Sequence, residues 1–201
     1  MKNLPLLKIL EDSSLIENHF PELLMDDIDE ALESMRLNYN QTLLSNFEMI
    51  LSKDDERIKL LSDRYYMSLQ ECKFINFIEE VFLDNDKKCI IKTDFFNMNY
   101  DTFLSYLNSG IDIKFQYILL HQYINFHNIK SEYFMIKDVE LLKLFITFIL
   151  KEQWISHFFI FPKNEICLIS NYDQLFPIFF KNKFIIEKYS KIAKKCGVYL
   201  I

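Results

Sequence analysis

From residue 4 to residue 83 apolar side chains recur every three or four positions, the period that gathers them on one face of a helix. The clearest run follows Pro21, where Leu24, Ile28, Ala31, Leu32 and Met35 predict a single buried stripe. A second long helix is expected from about Asp54, a good capping residue, with Ile58, Leu61, Tyr65, Leu69, Cys72, Ile75 and Phe82 turned inward. Two such helices predict an antiparallel hairpin connected near residues 52–55. The polar cluster Asp84, Asn85, Asp86, Lys87 and Lys88 then interrupts the pattern and divides segment 1–86 from segment 87–201.

Beyond the cluster, residues 89–96 predict a short strand and 100–108 a short helix stopped by Gly110 as a left-handed cap. Residues 115–126 and 139–150 read as helices, the second apolar on nearly every side and therefore expected at the centre of a core. The texture next becomes aromatic and β-branched, predicting strands at 155–161 and 166–169 joined by the turn Pro162-Lys163-Asn164-Glu165. A turn at 171–174 leads to a strand at 175–180, which Pro177 is expected to confine to an edge or a bulge. A final helix over 183–196 would turn Ile185, Tyr189, Ile192 and Cys196 inward, end at Gly197 and lead to a last strand at 198–201. The expected fold is α+β. A helical lobe over 1–86 is followed by a lobe of helices, a small antiparallel meander, a C-terminal helix and a short final strand over 87–201, together one compact unit.

Composition narrows the chemistry more than the architecture. Only two glycines occur in 201 residues, which removes the glycine-rich turns that cradle nucleotide phosphates or hold a nucleophile elbow, and no cofactor is expected. No apolar run reaches the roughly 18–20 residues of a membrane span, and the apolar stretch near the N-terminus is too short for a secretory signal. Cys72, Cys89, Cys167 and Cys196 form no CxxC pair and are expected to be reduced core thiols in a soluble cytoplasmic protein.

Charge is distributed unevenly. Residues 1–86 carry 19 acidic and 8 basic side chains, whereas residues 87–201 carry 10 acidic and 15 basic, so halves of −11 and +5 underlie the net −6. Glu22, Asp26, Asp29 and Glu33 fall at intervals of four, three and four, with Glu30 beside them, and predict an acidic stripe opposite the apolar face of their helix. Such a stripe is either a solvated face or a docking surface for a basic protein. In the basic half, Lys188, Lys191 and Lys195 share a face of the last helix, with Lys181, Lys183 and Lys194 close by. Dipole complementation and an i,i+4 pair with Glu187 account for most of them, and segment 87–201 has no arginine, which argues against sequence-specific nucleic-acid reading.

The four histidines, His19, His121, His127 and His157, lack partners at metal-ligand spacing and read as structural. Asp84 and Asp86 begin like a calcium loop, but Cys89 and Phe95 stand where glycine and glutamate are required, so no metal is expected. One catalytic arrangement remains as an alternative. Asp112-Ile113-Lys114 on a strand, with Asp94 on an earlier one, is similar to the Asp…(Asp/Glu)-x-Lys pattern of metal-dependent nucleases, although the same tripeptide also suits a helix start.

The small acidic chain, its polarised charge and its aromatic-rich second half are similar to bacterial immunity proteins, which neutralise toxin domains, commonly basic nucleases. The similarity covers composition and charge and no individual residues. It implies a non-enzymatic, protein-binding inhibitor with a basic partner, and places the contact at Glu22, Asp26, Asp29, Glu30 and Glu33. The alternatives are the nuclease just described and a nucleic-acid-binding module using the 183–195 helix.

Overall fold

A computed structural model describes residues 4–108, 112–151, 157–170 and 174–201. Gly110, residues 155–156 of the strand expected at 155–161 and most of the 171–174 turn lie outside the described residues. The chain begins with β1 (Lys8–Ile9), α1 (Ser14–His19), a 3-10 turn (Pro21–Leu24), α2 (Ile28–Asn38) and β2 (Asn40–Ser45). It continues through α3 (Ile58–Leu61), α4 (Arg64–Asp84), β3 (Cys89–Lys92), α5 (Tyr100–Leu107), α6 (Ile113–Phe126), β4 (Tyr133–Ile136) and α7 (Val139–Lys151). The last part is β5 (Phe158–Phe161), β6 (Ile166–Ile169), β7 (Phe176–Phe180), α8 (Ile186–Cys196) and β8 (Tyr199–Leu200).

Among the described residues all eight strands join one antiparallel sheet in the order β1-β4-β3-β5-β6-β7-β2-β8. The α+β architecture read from the pattern is therefore the observed one. The meander β5-β6-β7 is its middle, and β8 closes one edge after the helix capped by Gly197, whose φ is +81°. Strands from segments 1–86 and 87–201 share the sheet.

Helices cover both faces, which explains why strands such as Phe158–Phe161 and Ile166–Ile169 are apolar at every position where a half-exposed strand would alternate. Cys89, Ile91, Phe134, Ile136, Phe159, Phe161, Leu168 and Ile178 point toward α4, α5, α6, α7 and α8. Ile90, Met135, Phe158, Ile160, Cys167, Ile169 and Phe179 point the other way, toward Ile16, Phe20, Leu23 and Met35 of the N-terminal segment. α7 is at the centre of the thicker layer, with every residue from Leu141 to Leu150 except Lys143 buried. Each large apolar side chain buried there contributes about 1.5–3 kcal/mol of transfer free energy.

Four expectations change. Residues 40–45 are a strand, not part of a helical run, because β7 and β8 leave a slot that β2 pairs into on both sides. The two long helices are accordingly not a hairpin: α2 lies with the core on one sheet face and α4 with the core on the other. Within α4, which starts at Arg64 on the Asp63 cap, the buried face is Phe74, Phe77, Ile78, Val81 and Phe82, while Tyr65, Leu69 and Cys72 are exposed. The helix carries two apolar stripes, and the one with the phenylalanines has more area to bury. Finally, β7 is interior. Pro177 is tolerated because the ladder with β6 ends at Ile178, while pairing with β2 runs on through Leu43.

Candidate functional site

The expected acidic stripe is split by a break in the helix. The segment after Pro21 is a 3-10 turn that stops at Leu24, and α2 begins afresh at Ile28. Asp27 makes the new start possible, its carboxylate accepting from the backbone N–H groups of Asp29 (2.8 Å) and Glu30 (3.2 Å). Asp29, Glu30 and Glu33 are exposed on α2, and Asp26 is exposed just before it. Acidic groups in a first helical turn gain from the dipole, which offsets part of their mutual repulsion.

Glu22 does not belong with them. It is 8% exposed and turned inward, accepting from the Tyr39 hydroxyl (2.7 Å) and Asn38 Nδ2 (3.2 Å). Burial, and then the Glu22 carboxylate, push the Tyr39 phenol well above its ordinary range. Glu22 thus ties the 3-10 turn to the end of α2 and is withdrawn from the candidate docking face.

Asp26 instead joins a cleft of about 320 Å³ between the 24–28 bend and the sheet ends, lined by Lys92, Asp94, Glu132, Tyr133 and Phe158. Leu24 and Ile28, which the helical pattern would bury, form its partly exposed apolar rim together with Met25. Lys92 occupies the base. Its ammonium donates to the Leu23 carbonyl (2.7 Å), lies 3.8 Å from the Glu132 carboxylate and faces the rings of Tyr133 (5.5 Å) and Phe158 (6.0 Å). The Tyr133 hydroxyl donates to the same carbonyl at 2.6 Å. Burial, reinforced by Glu132, pushes this phenol up to about 12, so it stays protonated as a donor at neutral pH.

Asp26, Asp29, Glu30, Glu33 and Asp94 form no ion pair among the described residues. Leu37, 87% exposed, adds an apolar group on α2 itself. Pattern reading missed Lys92, Glu132, Tyr133 and Phe158. One signal was present: a lysine closing the otherwise apolar Cys89–Lys92 strand needs an outlet for its charge.

The residues of the nuclease-like alternative separate into other roles. Asp112 caps α6, accepting from the backbone N–H of Lys114 (2.8 Å), and Lys114 pairs with Glu140 of α7. Asp94 is at the cleft. Among the described residues no three or more His, Cys, Asp or Glu side chains are grouped to hold a metal ion. In the basic helix, Lys188 pairs with Asp84 (2.5 Å) and Lys191 with Glu187 (2.7 Å). Among the described residues no helix is long and apolar enough to cross a membrane. No protein-family model, no curated protein and no solved structure matches the chain, which leaves the α2 face and its adjoining cleft as the observations that bear on function.

Proposed function

We propose that the chain is a protein-binding inhibitor of the toxin-immunity type, which neutralises a basic toxin domain by docking it on the α2 face. One observation carries the reading. Asp26, Asp29, Glu30 and Glu33 are exposed and free of ion pairs among the described residues, beside the exposed apolar side chains Leu24, Met25, Ile28 and Leu37. Uncompensated charge of one sign steers a basic partner and fixes its orientation, and the neighbouring apolar groups supply area for affinity. All four cysteines are free thiols, which fits inhibition in the reducing cytoplasm.

The nuclease alternative finds little support, since Asp112 and Lys114 are engaged at the start of a helix. The nucleic-acid alternative is weakened by the pairing of Lys188 and Lys191 with carboxylates.

The test is capture of a basic protein from the native source, followed by expression of that protein with and without this chain. Growth arrest that this chain relieves is expected, with an association rate that falls as salt rises. D26N/D29N/E30Q/E33Q should slow association and leave the thermal midpoint in place. Unchanged association in that variant, or a captured protein whose activity this chain does not affect, would refute the reading.

A further inference from the structure

We propose that the cleft beside α2 seats an extended organic cation, the guanidinium or ammonium end of a long basic side chain presented by the partner. The proposal rests on the inhibitor reading for the identity of the partner, and on the cleft alone for the chemistry of the ligand.

Three carboxylates, Asp26, Asp94 and Glu132, line the cleft against a single ammonium, Lys92. Lys92 is not available to balance all of them. Only 13% of its side chain is exposed, its ammonium is held by the Leu23 carbonyl, and among the described residues its ion-pair partner is Glu132. Asp26 and Asp94 are therefore left without a compensating cation among the described residues, in a concavity with aromatic and aliphatic walls where water screens less than on an open surface. An anion such as a phosphate is repelled there. A compact inorganic cation would leave the apolar rim of Leu24, Met25 and Ile28 unused.

A long basic side chain meets both demands, laying its methylene stem on the rim and its head group between the carboxylates. A guanidinium suits the arrangement better than an ammonium, since its planar fork can engage two carboxylate oxygens at once. The volume agrees: about 320 Å³ is at the small end of ligand sites and accommodates one such side chain.

The test uses the full chain and three probes at constant ionic strength. These are n-butylguanidinium, the neutral isostere n-butylurea, and the peptide acetyl-Ala-Arg-Ala-amide, each followed by NMR shifts of the amides of Asp94, Glu132 and Tyr133. Saturable binding of n-butylguanidinium in about the millimolar range is expected, as suits so small a ligand. Butylurea should bind at least about five-fold more weakly, and D26N/D94N should cost about the same factor, as expected for two partly exposed ion pairs. The thermal midpoint should not move, because neither side chain makes an ion pair among the described residues. The peptide should bind at least as tightly as n-butylguanidinium, which separates a partner's side chain from a free small molecule.

Absence of saturable shifts, equal binding of butylurea, indifference to D26N/D94N, or exclusion of the peptide would each overturn the proposal. Its fate is separable from that of the inhibitor reading. Loss of a captured toxin on neutralising Asp29, Glu30 and Glu33, in a protein whose cleft ignores butylguanidinium, overturns the cleft proposal alone. A cleft that binds the cation, in a chain that inhibits no basic protein, overturns the inhibitor reading alone.

Discussion

Replacing His157 by methionine should stabilise the protein, and the gain should grow as the solution is acidified. The His157 side chain is 0% exposed, and neither ring nitrogen has a hydrogen-bond partner among the described residues. It is surrounded by Phe145, Phe148 and Phe159, with ring centroids 6.0, 6.0 and 6.3 Å away. Only its backbone is well served: its N–H donates to Ser170 Oγ at 2.7 Å, and its carbonyl accepts from the Ser170 N–H at 2.9 Å. An unmet polar group in such a place costs about 1–3 kcal/mol. Burial also lowers the imidazole pKa to about 3, against about 6.5 in the unfolded chain.

The sign follows from which state binds the proton. Above pH 6.5 both states hold a neutral ring and the linkage contributes nothing. Between about 6.5 and 3 the unfolded chain is protonated and the folded one is not, so stability falls by about 1.4 kcal/mol per pH unit. At pH 4.5 the wild type has therefore lost about 2.7 kcal/mol through this one residue, a large share of a typical 5–15 kcal/mol total. Methionine has similar bulk, adapts to irregular space and makes favourable sulfur–aromatic contacts. Urea titrations of wild type and H157M, followed by far-UV circular dichroism at equal slope, should show a difference of about 1–2 kcal/mol at pH 7 and about 4 kcal/mol at pH 4.5. Parallel pH profiles for the two proteins, or a variant less stable at every pH, would show that the ring is satisfied in solution and would refute the reasoning.

Four further outcomes are expected. The Tyr189 hydroxyl donates to Asp84 (2.6 Å) and accepts from Asn164 (2.8 Å) and Asn85 (3.3 Å), so Y189F should lower the urea midpoint by the equivalent of about 1–3 kcal/mol. Burial alone would raise Asp84, but hydrogen bonds from Lys188 and Tyr189 hold it below the usual carboxylate range. The stability it contributes is therefore present at neutral pH and lost as pH falls below about 4, where the unfolded carboxylate binds its proton first. Gly197 caps α8 at φ +81°, with an added Cβ meeting Lys73 Cδ at 3.3 Å, so G197A should cost about 1 kcal/mol, seen as a fall of about 2–4 °C in melting temperature. Cys72 is exposed while Cys89 and Cys167 are buried, with thiols pushed up by burial, so a disulfide reagent should titrate Cys72 at once and those two only on unfolding.

The elements of the second half were legible because each carries its own local signal. The turn at Pro162 to Glu165 brings β5 and β6 together with Glu165 in the left-handed conformation, and Gly197 ends the last helix as its position suggested. The first half misled because its signals are not local. Asn40–Ser45 carries no clear alternation and is a strand through its two neighbours, both more than 130 positions later in the chain. The break that turns Glu22 inward did have a signature, an Asp27 cap with Glu30 three positions on, but the apolar period running across it suggested one continuous helix.

The cleft was hidden for the same reason, and the order of the strands also accounts for its charge. Its walls come from residues 24–28, 92–94, 132–133 and 158, which meet because β3 lies between β4 and β5 in the sheet. Lys92 ends a strand buried on both faces and cannot leave its ammonium unsolvated there. The Leu23 carbonyl receives it, with the Tyr133 hydroxyl on the same oxygen, and this fastens the N-terminal turn across the sheet. A lysine committed in this way is unavailable to Asp26, on the fastened segment, and to Asp94, two residues beyond Lys92 itself. One contact that fastens the N-terminal segment and the uncompensated carboxylates of the cleft therefore share an origin, the need to place a single charge at the end of an apolar strand.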